Sequence, residues 1–241
     1  MTPPAAFSLD PGHDATAYAA IYKHHRRIHI PDILAPAAAR RLHHTLVAET
    51  PWSTVVNAGD RVYDLTPDVI ASMGEEAARK LVAAAQVGAR ERFQFLFDNH
   101  RLTDHGEPYA GPVPAFGELV AFVNSAPFLD FVRKVTGHAD IAFADAQATC
   151  YRPGHFLTLH DDKVPGKNRR AAFVLNMTQR WVADWGGLLL FLDGDGHVAE
   201  GFTPCFNALN IFSVPQPHLV SLVSPAAPAP RLSITGWLRA R

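Results

Sequence analysis

The sequence predicts an α+β chain in which N-terminal helices brace a β-rich core of the jelly-roll or β-sandwich kind. Three observations carry this expectation. From Ile141 onward, short apolar or alternating runs recur between turns, at 141–151, 155–159, 171–178, 187–192, 197–202, 207–213, 218–223 and 231–239. Eight such runs in about a hundred residues is the spacing of an all-β barrel or sandwich. Before residue 138 the apolar residues recur mainly at helical period. The chain of 241 residues is 48% apolar, enough for one sizeable core, and shows no linker, repeat or low-complexity segment. A single domain over 1–241 is therefore expected, with helical support mainly in 1–138 and the jelly-roll core at about 139–241.

Taken in order, 14–25 begins a helix with an alanine-rich face, and 27–34 alternates as a strand interrupted by Pro31. Pro36 opens a helix through Glu49, with Leu42 and Leu46 on one face. Asn57-Ala-Gly-Asp60 is a turn signal between two short β-like runs within 52–65. Thr66-Pro67 caps a helix running to about Arg92 with an interruption at Gly74. Phe93, Phe95 and Phe97 alternate in a strand over 92–100, a Gly/Pro loop covers 102–114, and a helix reaches Asn124. Phe128, Phe131, Val132 and Val135 then mark a helix that Gly137 closes.

Charge excludes some partners. The chain carries 22 Lys+Arg against 23 Asp+Glu, so nothing suggests an electrostatic surface for nucleic acid or membrane. The longest apolar run, 188–192, is far too short to span a bilayer. The first residues lack a basic start followed by an apolar stretch, and a cytoplasmic protein is expected. Cys150 and Cys205 read as free thiols of a reducing compartment.

The chemistry centres on 150–162, CYRPGHFLTLHDD. On an extended strand residues i and i+2 share a face, so His160 and Asp162 would present an imidazole and a carboxylate together. These are two members of the 2-His-1-carboxylate facial triad of non-haem iron sites. Composition alone supplies about one His-x-Asp pair by chance, and His138-Ala-Asp140 is a second match. His105-Gly-Glu107 is a carboxylate variant of the same spacing. His138 follows the helix-closing Gly137, where a histidine is a favourable charge at the carbonyl end, and His105 lies in a flexible loop. His160 instead ends an alternating run, where strand rigidity supports ligation. His218, opening a strand after Pro215-Gln-Pro217, is the best third ligand, with His155 and His197 as rivals. Arg231 follows 13 positions later, sharing a face with Ser233, Thr235 and Trp237. An inward arginine demands an anion, and its planar fork suits a carboxylate; the plainer reading is a surface salt bridge at a strand start.

The linked set Tyr151, His160-x-Asp162, Gly186-Gly187-Leu188-Leu189, His218 and Arg231-x-Ser233-x-Thr235-Gly-Trp237 resembles the prolyl-hydroxylase-like branch of the 2-oxoglutarate/Fe(II) dioxygenases, with the Tpa1/Ofd1-like group nearest. The resemblance covers about 141–239 and implies a double-stranded β-helix, or jelly-roll, core. It implies Fe(II) held by His160, Asp162 and His218, and 2-oxoglutarate clamped by Arg231. Tyr151, Leu189, Ser233 and Thr235 would contact the cosubstrate, and Arg170 and Trp237 would line the substrate entrance. O2 is the second cosubstrate, ascorbate a supporting reductant, and succinate and CO2 the coproducts. Val174 departs from the pattern, because many relatives place a tyrosine two residues before the asparagine matching Asn176. A peptidyl-prolyl hydroxylase is expected. A hydroxylase of a free amino acid or natural product is the second reading, and a metal-holding jelly-roll without catalysis the third. The basic run 163–170 is a surface loop or an acidic-substrate contact, and it or 55–63 is the expected lid.

Overall fold

The structure is a computed structural model that describes residues 5–58 and 61–241. Helix α1 (Ala15–His25) starts where the Asp14 carboxylate accepts the Thr16 amide hydrogen, and it stops at Arg26 in the left-handed region. Strand β1 (Arg27–Ile30) ends one residue before Pro31, which has no amide to give a ladder. Helix α2 (Pro36–Ala48) buries Ala38, Ala39, Leu42 and Leu46 along one stripe. Strands β2 (Ser53–Ala58) and β3 (Arg61–Leu65) pair antiparallel, with Ala58 opposite Arg61. The Gly59-Asp60 half of the expected turn lies outside the described residues.

Helix α3 (Pro67–Gly88) starts with proline at its first turn, and Thr66 provides no side-chain cap. Gly74, at φ 75°, breaks it into two segments. Strand β4 (Phe95–Thr103) extends into the expected loop. Helices α4 (Pro114–Val123) and α5 (Ala126–Thr136) follow, and Gly137 closes α5 in the left-handed conformation, its N–H on the Arg133 carbonyl. The remaining strands are β5 (Phe143–Ala144), β6 (Ala146–Tyr151), β7 (Phe156–His160), β8 (Arg169–Met177), β9 (Leu189–Leu192), β10 (Val198–Phe202), β11 (Phe206–Ser213), β12 (His218–Val220) and β13 (Arg231–Arg239).

All strands join one antiparallel sheet in the order β1-β11-β8-β13-β6-β4-β7-β12-β9-β10, with β2 on β4, β3 on β2 and β5 on β13. The sheet curls so that β7, β12 and β9 face β13, β8 and β11 across a jelly-roll interior. This corrects one expectation in detail. The first half is not only helical support: β1 lengthens the sheet beside β11, and β4 is seated between β6 and β7.

The main core lies on the sheet's outer face, where Leu42, Leu46, Phe116 and Val132 meet Phe173, Leu175 and Ile234. Burying such side chains contributes roughly 1.5–3 kcal/mol each, so the helices hold β8 and β13 flat from behind. The inner face carries alternate residues of the same strands, with Val174, Leu189, Phe191 and Phe212 forming a smaller cluster. Among the described residues no single helix is long and apolar enough to cross a membrane.

Candidate metal centre and its cavity

The triad is assembled at strand ends. His160 is the last residue of β7 and His218 the first of β12, and the register sets them directly opposite each other. Their ring centroids are 4.1 Å apart. The strand does not continue to Asp162, as sequence alternation had it. Asp162 sits at φ 63°, a left-handed conformation that aspartate tolerates better than most residues. That turn brings its carboxylate 3.7 Å from His160 Nε2 and 3.5 Å from His218 Nε2. One ligand atom from each of the three residues lies within 4.8 Å of the other two.

Backbone carbonyls fix both imidazoles. His160 Nδ1 donates to Thr158 O at 2.9 Å and His218 Nδ1 donates to Gln216 O at 2.8 Å. Each Nε2 is thereby left as an inward lone pair, the tautomer a metal requires. Burial, followed by the neighbouring His160, lowers the His218 pKa to about 4, which keeps that ring neutral. Two imidazoles and a carboxylate form the donor set that suits Fe(II) with open positions.

From the triad a narrow cavity of about 80 Å³ runs inward to Arg231. Arg231 is the first residue of β13, only 1% exposed, and its Nε and Nη1 have no partner. Its register partner Tyr151 presents a ring 5.1 Å from the guanidinium carbon, itself stacked on Phe97. Burial raises the Tyr151 pKa, so the phenol offers a neutral hydroxyl. Gly186 and Gly187 permit close approach here. A Cβ on Gly186 would stand 1.9 Å from Leu222 O, and one on Gly187 would meet Val223 and Arg231 at 3.2 and 3.4 Å. A buried cation with unused donors fits a carboxylate ligand.

Of the residues expected to surround the cosubstrate, Tyr151, Leu189, Arg231 and Thr235 line this cavity together with Trp237 and Val174. Ser233 does not: it is fully buried and its hydroxyl pairs with Thr149 Oγ1 at 2.8 Å. Arg170 is elsewhere, in an exposed ion pair with Asp140 at 2.6 Å. Its neighbour Arg169 takes the inward place. There Arg169 stacks on Trp237 at 3.6 Å and donates to the Asp162 carbonyl at 2.9 Å. Arg239 opposes Arg169 while Leu238 opposes Ala171, so one residue of β8 is bulged and the alternation reverses.

Sequence reasoning used Asn176 only as a reference point for Val174 and gave it no role. It is 1% exposed, shares the inner face with Val174 and Ser233, and has neither amide atom paired. The rival histidines stay apart from the triad. His155 is buried with Nδ1 unpartnered, and His197 is in an exposed turn closed by Asp193. Burial lowers the His138 pKa, which works against the favourable helix-terminal charge expected there. A second and larger cavity, about 610 Å³, shares Gln147 and Trp237 with the first and opens between Arg169, Lys167 and the 104–111 loop.

Comparison with known proteins agrees with the fold. Residues 146–239 match the 2OG-Fe(II) oxygenase superfamily pattern, and that stretch holds the whole triad and Arg231. The chain is also similar to a known prolyl hydroxylase. It is 33% identical over 117 residues to the prolyl 3-hydroxylase OGFOD1 of Mus musculus, a match covering 46% of this chain and 21% of that protein. The chain thus spans about a fifth of the length of that relative. Among solved structures, a 2OG-Fe(II) oxygenase family oxidoreductase of Burkholderia pseudomallei superposes with TM-score 0.61 at 15% identity, covering 98% of this chain and 95% of that one. A Pseudomonas putida prolyl-4-hydroxylase gives 0.59 at 18%, covering 94% and 99%. A Trichoplax adhaerens prolyl hydroxylase, solved with a hypoxia inducible factor oxygen degradation domain peptide, gives 0.58 at 13%, covering 94% and 89%. At such identities these neighbours share the fold.

Proposed function

We propose that this chain is an Fe(II)- and 2-oxoglutarate-dependent hydroxylase acting on a prolyl residue of a peptide or protein. The observation that carries the proposal is one cavity with a His-Asp-His cluster at one end and a buried, unpaired arginine at the other. His160, Asp162 and His218 would hold Fe(II), which with O2 and the keto acid supplies oxidising power and yields succinate and CO2. Arg231 receives the distal carboxylate of 2-oxoglutarate, with the Tyr151 hydroxyl beside it and Leu189 and Thr235 as walls. Trp237 and Arg169 frame the passage to the larger cavity, where the substrate chain would lie. Ascorbate as reductant, one catalytic domain over 1–241 and a cytoplasmic setting belong to the same proposal.

The prolyl preference draws on the curated relative and on two of the structural neighbours. Supplying iron, ascorbate and 2-oxoglutarate should produce succinate, slowly without substrate and faster with a proline-containing peptide that gains about 16 Da, one oxygen. Succinate without any oxidised peptide, but with an oxidised amino acid, would transfer the activity to small molecules. No succinate under any condition would leave a metal-holding module.

A further inference from the structure

A second reactive constellation lies apart from the metal cavity. Cys205 Sγ is 3.7 Å from His29 Nε2, and His29 Nδ1 is 2.7 Å from Asn210 Oδ1. Three elements position these groups. His29 is on the edge strand β1, directly opposite Asn210 of β11 in the register. Cys205 immediately precedes β11. The bulge at Asn207 holds it there: the Asn207 amide accepts from Leu34 N at 3.0 Å and donates to Leu34 O at 2.8 Å. Asn210 is 1% exposed, whereas His29 and Cys205 both reach solvent in part.

The hydrogen bond to buried Asn210 decides the tautomer. With Nδ1–H donating to Oδ1, Nε2 carries the lone pair, and that lone pair faces the thiol. A nucleophile beside a base, with the base oriented by a third group, is the general signature of an activated side chain, and Cys-His-Asn is one attested version. We propose that Cys205, His29 and Asn210 form a nucleophilic thiol site, oxidisable by hydrogen peroxide and independent of the metal centre.

The reaction balances. The Cys205 thiol proton passes to His29 Nε2 as sulfur attacks one peroxide oxygen. The O–O bond breaks, and the departing hydroxide takes the proton from His29 as water. Cys205 becomes a sulfenic acid, sulfur is oxidised by two electrons and peroxide is reduced. Burial, then Asp32, raises the Cys205 pKa, so the resting group is a thiol and depends on the imidazole for deprotonation. The other charges on this face are the Arg27–Glu200 ion pair of β1 and β10. Cys150 is 1% exposed and serves as an internal silent thiol.

The test is alkylation of the full chain by iodoacetamide between pH 5.5 and 9.5, with sites read by peptide mass. Modification is expected at Cys205 and not at Cys150, with an inflection below that of an unassisted thiol, about 8.5. His29→Phe should slow the reaction at neutral pH by roughly a hundredfold and return the inflection to the unassisted range or above. Peroxide followed by dimedone should give a Cys205 adduct that Cys205→Ser abolishes. A wild-type profile with the inflection of an ordinary thiol overturns the proposal without recourse to any variant. So does a profile that His29→Phe leaves unchanged, or the absence of a dimedone adduct.

Discussion

The two ends of the metal cavity are prepared in opposite ways. At the triad end, every nitrogen not aimed inward is already committed: both Nδ1 atoms rest on backbone carbonyls, and the Asp162 carbonyl accepts from Arg169. At the other end, Arg231 is the largest fully buried side chain among the described residues, yet two of its nitrogens are unpaired. Asn176, on the same sheet face, leaves two more atoms unpaired. An unmatched buried charge costs several kcal/mol, where a satisfied polar group costs little. The metal end is therefore organised by the chain itself, and the carboxylate end by what binds there.

Breaking the metal end should have the largest effect. Alanine at His160, Asp162 or His218 should weaken Fe(II) binding by far more than a hundredfold, since even groups one shell out from a metal are worth about 10- to 100-fold. Calorimetric titration of the purified chain checks this, and retained binding in any of the three would remove that residue from the site. Arg231→Met separates the two ends most sharply. It should weaken 2-oxoglutarate binding by about a hundredfold, the loss of two charge-assisted hydrogen bonds. In the same variant, stability without ligand should rise by about 1–4 kcal/mol, because a buried lone charge is replaced by a side chain of similar volume. Lower stability in urea titration would show that Arg231 is compensated in the empty chain.

Asn176→Leu tests the same contrast at smaller scale. Binding of 2-oxoglutarate should weaken about tenfold, while stability without ligand holds or improves by about 1 kcal/mol. The smallest effect concerns pH. Burial lowers the pKa of His218, to about 4, and of His155. Their unfolded values lie near 6.5, so on acidification the unfolded chain takes up protons first. Stability is full above about pH 6.5 and is lost as pH falls toward the folded values, by about 1.4 kcal/mol per pH unit for each group. Urea midpoints of the iron-free chain at pH 7, 6 and 5 should decline in that order.

Much of this contrast was legible in the residues, though not always for the right reason. His160-x-Asp162 and His218 were found from strand context, but Asp162 joins them through a left-handed turn rather than strand alternation. Period two set Arg231, Thr235 and Trp237 on one face, and they line the cavity with Tyr151, which only the family resemblance had pointed to. The resemblance set Arg170 at the substrate entrance, but a single bulged residue hands the inward position to Arg169. It also failed to separate Ser233, which shares that face but spends its hydroxyl on Thr149. Such departures depend on strand pairing between distant segments, which local pattern does not encode. The same holds for β4, whose alternation announced a strand but not its neighbours.

Those neighbours have a practical consequence. Because a strand from the first half is wedged between β6 and β7, the superfamily-matched segment 146–239 is not a detachable module. A fragment started at residue 139 would leave ladders of amides and carbonyls bare on β6, β7 and β11, inviting strand exchange between copies. Swapping catalytic halves among relatives would have to carry the foreign β4 along with them.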